Sequence, residues 1–309
     1  MQQETHAKAN KATETQRPSL TAHIPLFLFL LYVFIVMPLA INPALRAIGI
    51  FALPSPIVSV ILSAVLNLLP LLVYLLFAKQ RLREVLPPAS LGRKNGLYIT
   101  VISVAATLII QFINFGHFNT LIGRIQPEPF ELPTLGSMWI AIVAFGLLTA
   151  TFEELWFRGP LSSVYRKQGV SRWKTALISG VAFGIVHAGV VQISYTALWG
   201  VLWAFMLYYT RSIWAPILAH VLSNILFNVF NPMYYLSSYA DYWNILPTYV
   251  LIVGLAALVM VPIALICWKK LIANNPREKE MAAKETMPFT IGYWGLIAAM
   301  IVLAVRSML

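Results

Sequence analysis

The chain has 309 residues, 59% of them hydrophobic and only 11% charged, with a formal net charge of +11. A soluble domain carries about 25% charged residues, so the composition excludes a soluble globular fold and points to an integral membrane protein. The basic excess raises nucleic acid as a partner, but the placement of the charges argues for a different origin.

Residues 1–23 are polar and form an N-terminal tail. The apolar stretch that follows is longer than a signal-peptide core and is read as a retained first helix. Runs of about 20 apolar residues cross the hydrocarbon core as helices, which satisfy every backbone group in lipid. Nine runs occur in chain order: Ile24–Leu45, Ile57–Ala78, Leu97–Phe118, Gly136–Phe157, Thr175–Val190, Ile193–Thr210, Ile213–Phe230, Pro247–Trp268 and Pro288–Val305. The three between Thr175 and Phe230 are short, at 16 to 18 residues, and carry Pro, Gly, His and Asn. They suit helices packed around something rather than facing lipid, and eight spans is the alternative count. The expected architecture is all-α, a polytopic transmembrane bundle with a cytoplasmic N-terminus. It divides into the tail 1–23, N-terminal helices 24–135, a core 136–230 and C-terminal helices 231–309.

With the N-terminus inside, nineteen of the 22 Lys and Arg residues fall on the cytoplasmic side, leaving Arg46, Arg124 and Arg306 outside. This follows the positive-inside rule, so topology and anionic lipid heads account for the basicity and no nucleic-acid partner is needed. The single cysteine, Cys267, allows neither a disulfide framework nor a cysteine zinc cage. No internal repeat is visible, which argues against a transporter of duplicated halves.

Eight glutamates lie in polar tails or loops, and Asp241 lies in the expected outer loop 231–246. The remaining acids, Glu153 and Glu154, close the uncharged run Gly136–Phe152 in the stretch ATFEELWFRGP. An ionisable group inside a membrane helix costs about 2.5–3.5 kcal/mol and marks a functional site by default. Glu154 precedes Arg158 by four residues, the spacing and order of a helical ion pair. Glu153 projects about 100° away around the helix and needs another partner.

Histidine supplies the partners. His6 and His23 belong to the tail and His117 to the outer end of the third run, whereas His187 and His220 sit in the short middle runs. Asn224 shares a helical face with His220. A carboxylate can act as general base toward water while a neighbouring histidine shares or relays the proton. A second histidine and an amide can donate to the oxyanion of an attacked carbonyl. Glu153, His187 and His220 also suit a zinc ion, although HExxH spacing is absent, and the residues alone leave both readings open.

EELWFRG resembles an EExxxR motif, Phe183–His187 an FxxxH motif and His220–Asn224 an HxxxN motif. In this order they are similar to the CPBP family of intramembrane proteases, which includes type II CAAX prenyl proteases and bacterial bacteriocin-processing or immunity proteins. The resemblance covers about Gly136 to Phe230 and makes that segment the catalytic core. It implies that Glu153 activates water with His187, that His220 and Asn224 stabilise the oxyanion, and that Glu154 and Arg158 are structural. Both a divalent metal such as zinc and a metal-free glutamate mechanism are compatible with it.

The expected function is an intramembrane endopeptidase of the bacterial cell membrane, acting on a membrane peptide or membrane-protein substrate such as a bacteriocin precursor. A non-enzymatic membrane immunity or regulatory protein is the alternative, followed by a proton-coupled transporter. One difficulty is depth. The runs place Glu153 near the inner face and His187 near the outer end of its helix, so their meeting requires a deep cavity or a tilted or broken fifth helix.

Overall fold

The computed structural model describes residues 23–53, 55–115, 135–187, 190–235 and 239–276. Within them the apolar runs become helices, and no strand forms among the described residues beyond one isolated bridge between Pro88 and Ser212. Helix α1 spans Ile24–Ala47 and passes through π-helical turns at Tyr32–Ile41, around Pro38. Helix α2 is Ser55–Phe77 and α3 is Arg93–Ile113. Helix α4 covers residues 135–156, and after a break the short α5 covers Ser162–Lys167. Then follow α6, Arg172–Ile185; α7, Val190–Thr210; α8, Trp214–Val229; and α9, Tyr239–Ala273.

The all-α membrane bundle is thus the fold. Among the described residues, five helices are long and apolar enough to cross a membrane: Ile24–Ala47, Ile57–Phe77, Arg93–Ile113, Leu135–Lys167 and Asn244–Ala273. Helix α8 is apolar but shorter. The fifth expected run shifts toward its N-terminus, and α6 has only 14 residues, about 21 Å of rise. Helix α7 is longer than expected, at 21 residues. Helix α9 begins at Tyr239, so Asp241 belongs to a helix and not to the expected loop. Hydrophobic run length locates a helix but not a polar first turn such as that of α9. The expected span Pro288–Val305, with His6, His117, Arg124 and Arg306, lies outside the described residues.

Glycines set the closest helix contact. A Cβ added at Gly180 of α6 would meet the backbone nitrogen of Val201 at 2.6 Å, and one at Gly184 would meet the Ala197 side chain at 2.7 Å. From α7, Gly200 faces Gly180 in return. Small residues four apart let membrane helices approach through their backbones, and here they hold α6 against α7. Gly180→Val is expected to cost about 1–3 kcal/mol through overpacking, read as a lower unfolding temperature of the protein in detergent. Unchanged stability would show that the two helices can separate freely.

Candidate active site

The helix that carries the acidic doublet is irregular on both sides. Eight residues of π-helical turn, Ile142–Thr149, precede the α-helical Ala150–Trp156. Such turns frequently sit at functional sites, because they rotate the following side chains relative to a regular helix. After Trp156 the chain breaks at Gly159, whose ψ of −107° is non-helical, followed by Pro160. The break has the expected cause, since proline disfavours helix in its predecessor. A Cβ at Gly159 would stand 3.0 Å from Leu86 Cδ2, so a larger residue there would require the leucine side chain to shift.

Just before the break, Arg158 is completely buried. Its Nε lies 2.9 Å from Glu154 Oε2, forming the ion pair that the four-residue spacing suggests. Nη1 donates to Ser179 Oγ of α6 at 2.5 Å, and Nη2 donates to the Gly200 carbonyl of α7 at 3.0 Å. One guanidinium therefore ties three helices, using the planar fork that distinguishes arginine from lysine. Glu154, also fully buried, has a second partner: its Oε1 accepts from His220 Nδ1 at 3.0 Å. Glu154 is consequently both the counter-ion of Arg158 and the orienter of His220.

His220 is locked from three directions. Its ring stacks on Trp203 with centroids 4.0 Å apart and planes 23° from parallel, and it meets Phe183 edge-on at 5.5 Å. With Nδ1 turned to Glu154, Nε2 faces the other acid, 3.6 Å from Glu153 Oε2. The separate partner that Glu153 needs is thus His220. His187, in the turn just past the C-terminus of α6, directs Nδ1 at the Phe183 carbonyl at 2.7 Å. A carbonyl can only accept, so Nδ1 carries the proton and Nε2 is left as an acceptor. No ion-pair-range contact joins His187 to Glu153 among the described residues, but both line one cavity of about 420 Å³ together with His220 and Asn224. Asn224 gives one amide hydrogen to the Phe145 carbonyl at 3.1 Å, leaving its second for another acceptor.

The depth difficulty is resolved by the short helix α6, which ends before His187, and by the cavity. The cavity extends from Glu153 and His220 to Gln192 and Asn228. Those two lie near the start of α7 and the end of α8, opposite the turn that joins the helices at Arg211. His187 therefore need not descend to Glu153, because both line the same cavity. Trp203 and the second role of Glu154 are the site features that sequence reasoning missed. Trp203 sits in an aromatic-rich helix where nothing marks it out. The Glu154–His220 bond crosses 66 positions and has no local spacing signal. Phe183, the first residue of the FxxxH motif, is buried and contacts both histidine rings.

A zinc ion at Glu153, His187 and His220 fits by donor type. Each imidazole already directs Nδ1 at another acceptor, as metal-bound histidines do. By position the set does not fit, because among the described residues no three His, Cys, Asp or Glu groups gather closely enough to hold an ion.

Fold and site together define a polytopic helical membrane protein with a carboxylate, two imidazoles and an amide around an internal cavity. Residues 135–226 match the family model described as "Type II CAAX prenyl endopeptidase Rce1-like", so this segment is similar to the CAAX/CPBP proteases. It is also similar to "Putative membrane peptidase YdiL" of Bacillus subtilis (strain 168), 31% identical over 132 residues, which are 42% of this chain and 51% of that protein. The chain thus matches about half the length of this curated relative. No solved structure matches.

Proposed function

We propose that the protein is an intramembrane endopeptidase that hydrolyses a peptide bond in a membrane-associated substrate, using water activated by Glu153. The observation that carries this reading is the chain of contacts Arg158–Glu154–His220–Glu153 ending in a cavity. Its two acids have different surroundings: Glu154 is sealed and paired, whereas Glu153 opens on the space where a substrate would lie. The family match and the bacterial relative support a membrane protease in general. The substrate class, a bacterial membrane peptide or membrane-protein remnant, is part of the proposal.

In this mechanism a water molecule gives one hydrogen bond to Glu153 and one to the acceptor Nε2 of His187. Glu153 removes the proton as the water oxygen bonds to the scissile carbonyl carbon. The carbonyl oxygen becomes an oxyanion that the free amide hydrogen of Asn224 stabilises. His220 already directs Nδ1–H at Glu154, so its Nε2 donates only after receiving a proton, and Glu153 is the neighbour placed to pass one on. The resulting imidazolium is held by Glu154 on one side and the oxyanion on the other. Collapse of the intermediate breaks the C–N bond, and the proton leaves with the amine. No step requires a metal, so activity is expected to survive o-phenanthroline. Loss under the chelator with recovery on added zinc would require the ligand set to close on an ion.

The direct test incubates the reconstituted protein with extracted membrane peptides in ¹⁸O-enriched water. Hydrolysis predicts fragments with one heavy oxygen at their new C-termini, absent with Glu153→Gln. Equal labelling in both samples would overturn the assignment of Glu153 as base.

A further inference from the structure

A second cavity lies at the opposite end of the bundle from the mouth of the active site and is used by none of the proposed chemistry. It has a volume of about 620 Å³ and is lined by four arginines, Arg83, Arg166, Arg172 and Arg211, against one acid, Glu84. The carboxylate of Glu84 accepts from the backbone N–H of Arg81 at 3.1 Å, at the start of the helical turn Leu82–Val85. The arginines come from three separate parts of the chain: the segment after α2, the facing ends of α5 and α6, and the residue that follows α7. Sequence proximity therefore does not explain their convergence.

The cavity is braced by polar contacts. Ala89 N–H donates to the Arg211 carbonyl at 3.2 Å, and Ile213 N–H donates to the Pro87 carbonyl at 3.3 Å. These bonds pin residues 85–89 as a strap across the α7–α8 turn. Arg166 Nη2 donates to the Val85 carbonyl at 3.3 Å, adding the α5 end to the same brace. Arg211 itself has φ of +53°, a left-handed conformation uncommon for a residue with a side chain. Such backbone persists where the surroundings hold it, and here it places a fourth guanidinium on the cavity.

We infer that this cavity is a binding site for a phosphate-bearing anion, presented by an anionic phospholipid of the adjoining leaflet. Guanidinium groups match phosphate oxygens in bidentate geometry. The position supports a lipid source over a soluble ion. Lys79, Arg81, Arg93 and Lys94 flank the same helix ends, which the positive-inside rule assigns to the cytoplasmic interface. Basic pockets between helices on that side bind lipid headgroups. Beside Tyr208 the remaining wall carries the apolar side chains Val85, Leu86, Pro87, Val170 and Leu207, as suits a headgroup continuous with acyl chains.

The test follows thermal unfolding of the full chain in detergent during titration with phosphatidylglycerol, phosphatidylcholine or inorganic phosphate. Phosphatidylglycerol is expected to raise the unfolding temperature saturably, and the other two are not. The double variant Arg83→Gln, Arg211→Asn keeps at position 211 a residue that tolerates the left-handed backbone. It should weaken phosphatidylglycerol affinity about 25-fold, from a factor of about five for each guanidinium–phosphate hydrogen bond lost in the cavity. Arg83→Gln alone, at an exposed position, should weaken it about five-fold and serves if the double variant does not fold. Arg93→Gln, Lys94→Gln, at the same end but outside the cavity, should bind as the wild type does. Equal response to phosphatidylcholine, equal loss in that control pair, or undiminished binding in the Arg83 variants would overturn the site. A response to inorganic phosphate equal to that of phosphatidylglycerol would overturn the lipid source.

Discussion

Replacing Arg158 with leucine is expected to destabilise the protein by about 3–5 kcal/mol, the range for removing one partner of a buried ion pair. The change strips Glu154 of its counter-ion inside the bundle and releases Ser179 and the Gly200 carbonyl from their donor. Arg158→Lys keeps the charge but cannot serve three acceptors on three helices, so an intermediate loss is expected. The double change Glu154→Leu, Arg158→Leu should recover part of the stability lost in Arg158→Leu, because an unpaired buried charge costs more than an absent pair. Equilibrium unfolding in detergent measures all three. Loss of less than about 1 kcal/mol in Arg158→Leu would mean that Glu154 is not held as a buried ion.

The second large effect separates the adjacent acids. Glu153→Gln should lower the cleavage rate by about 10²–10⁴-fold, the scale of general-base catalysis, with the unfolding temperature unchanged. The amide has the shape of the acid, and the position carries no ion pair with Arg158. Glu154→Gln should lower both rate and stability, since it weakens the Arg158 pair and frees His220 to turn away from Glu153. Rate loss without stability loss at position 153, and both losses at 154, form the pattern to be measured. The same pattern at the two positions would erase the division between them.

That division was partly legible in the chain itself. The i, i+4 spacing of Glu154 and Arg158 is a local property of a helix, and it survives into the structure at 2.9 Å. The membrane bundle was legible for the same kind of reason, since run length and charge content are additive along the sequence. What was not legible depends on neighbours far along the chain. The bond from Glu154 to His220, the stacking of Trp203 on that ring and the strap of residues 85–89 across the α7–α8 turn have no repeating signature. The apparent depth mismatch of His187 arose from treating α6 as a regular span. Its end at Ile185, and its glycine-mediated contact with α7, depend on packing that periodicity does not encode.

The most direct measurement compares the small membrane proteins and peptides of cells carrying the wild-type chain with those of cells carrying Glu153→Gln, at matched expression. A protease acting through Glu153 predicts at least one precursor that accumulates in the variant and one matching fragment that disappears. Identical inventories, with the cellular phenotype of the wild type intact, would contradict catalysis and favour a membrane protein that works without cleaving its partner.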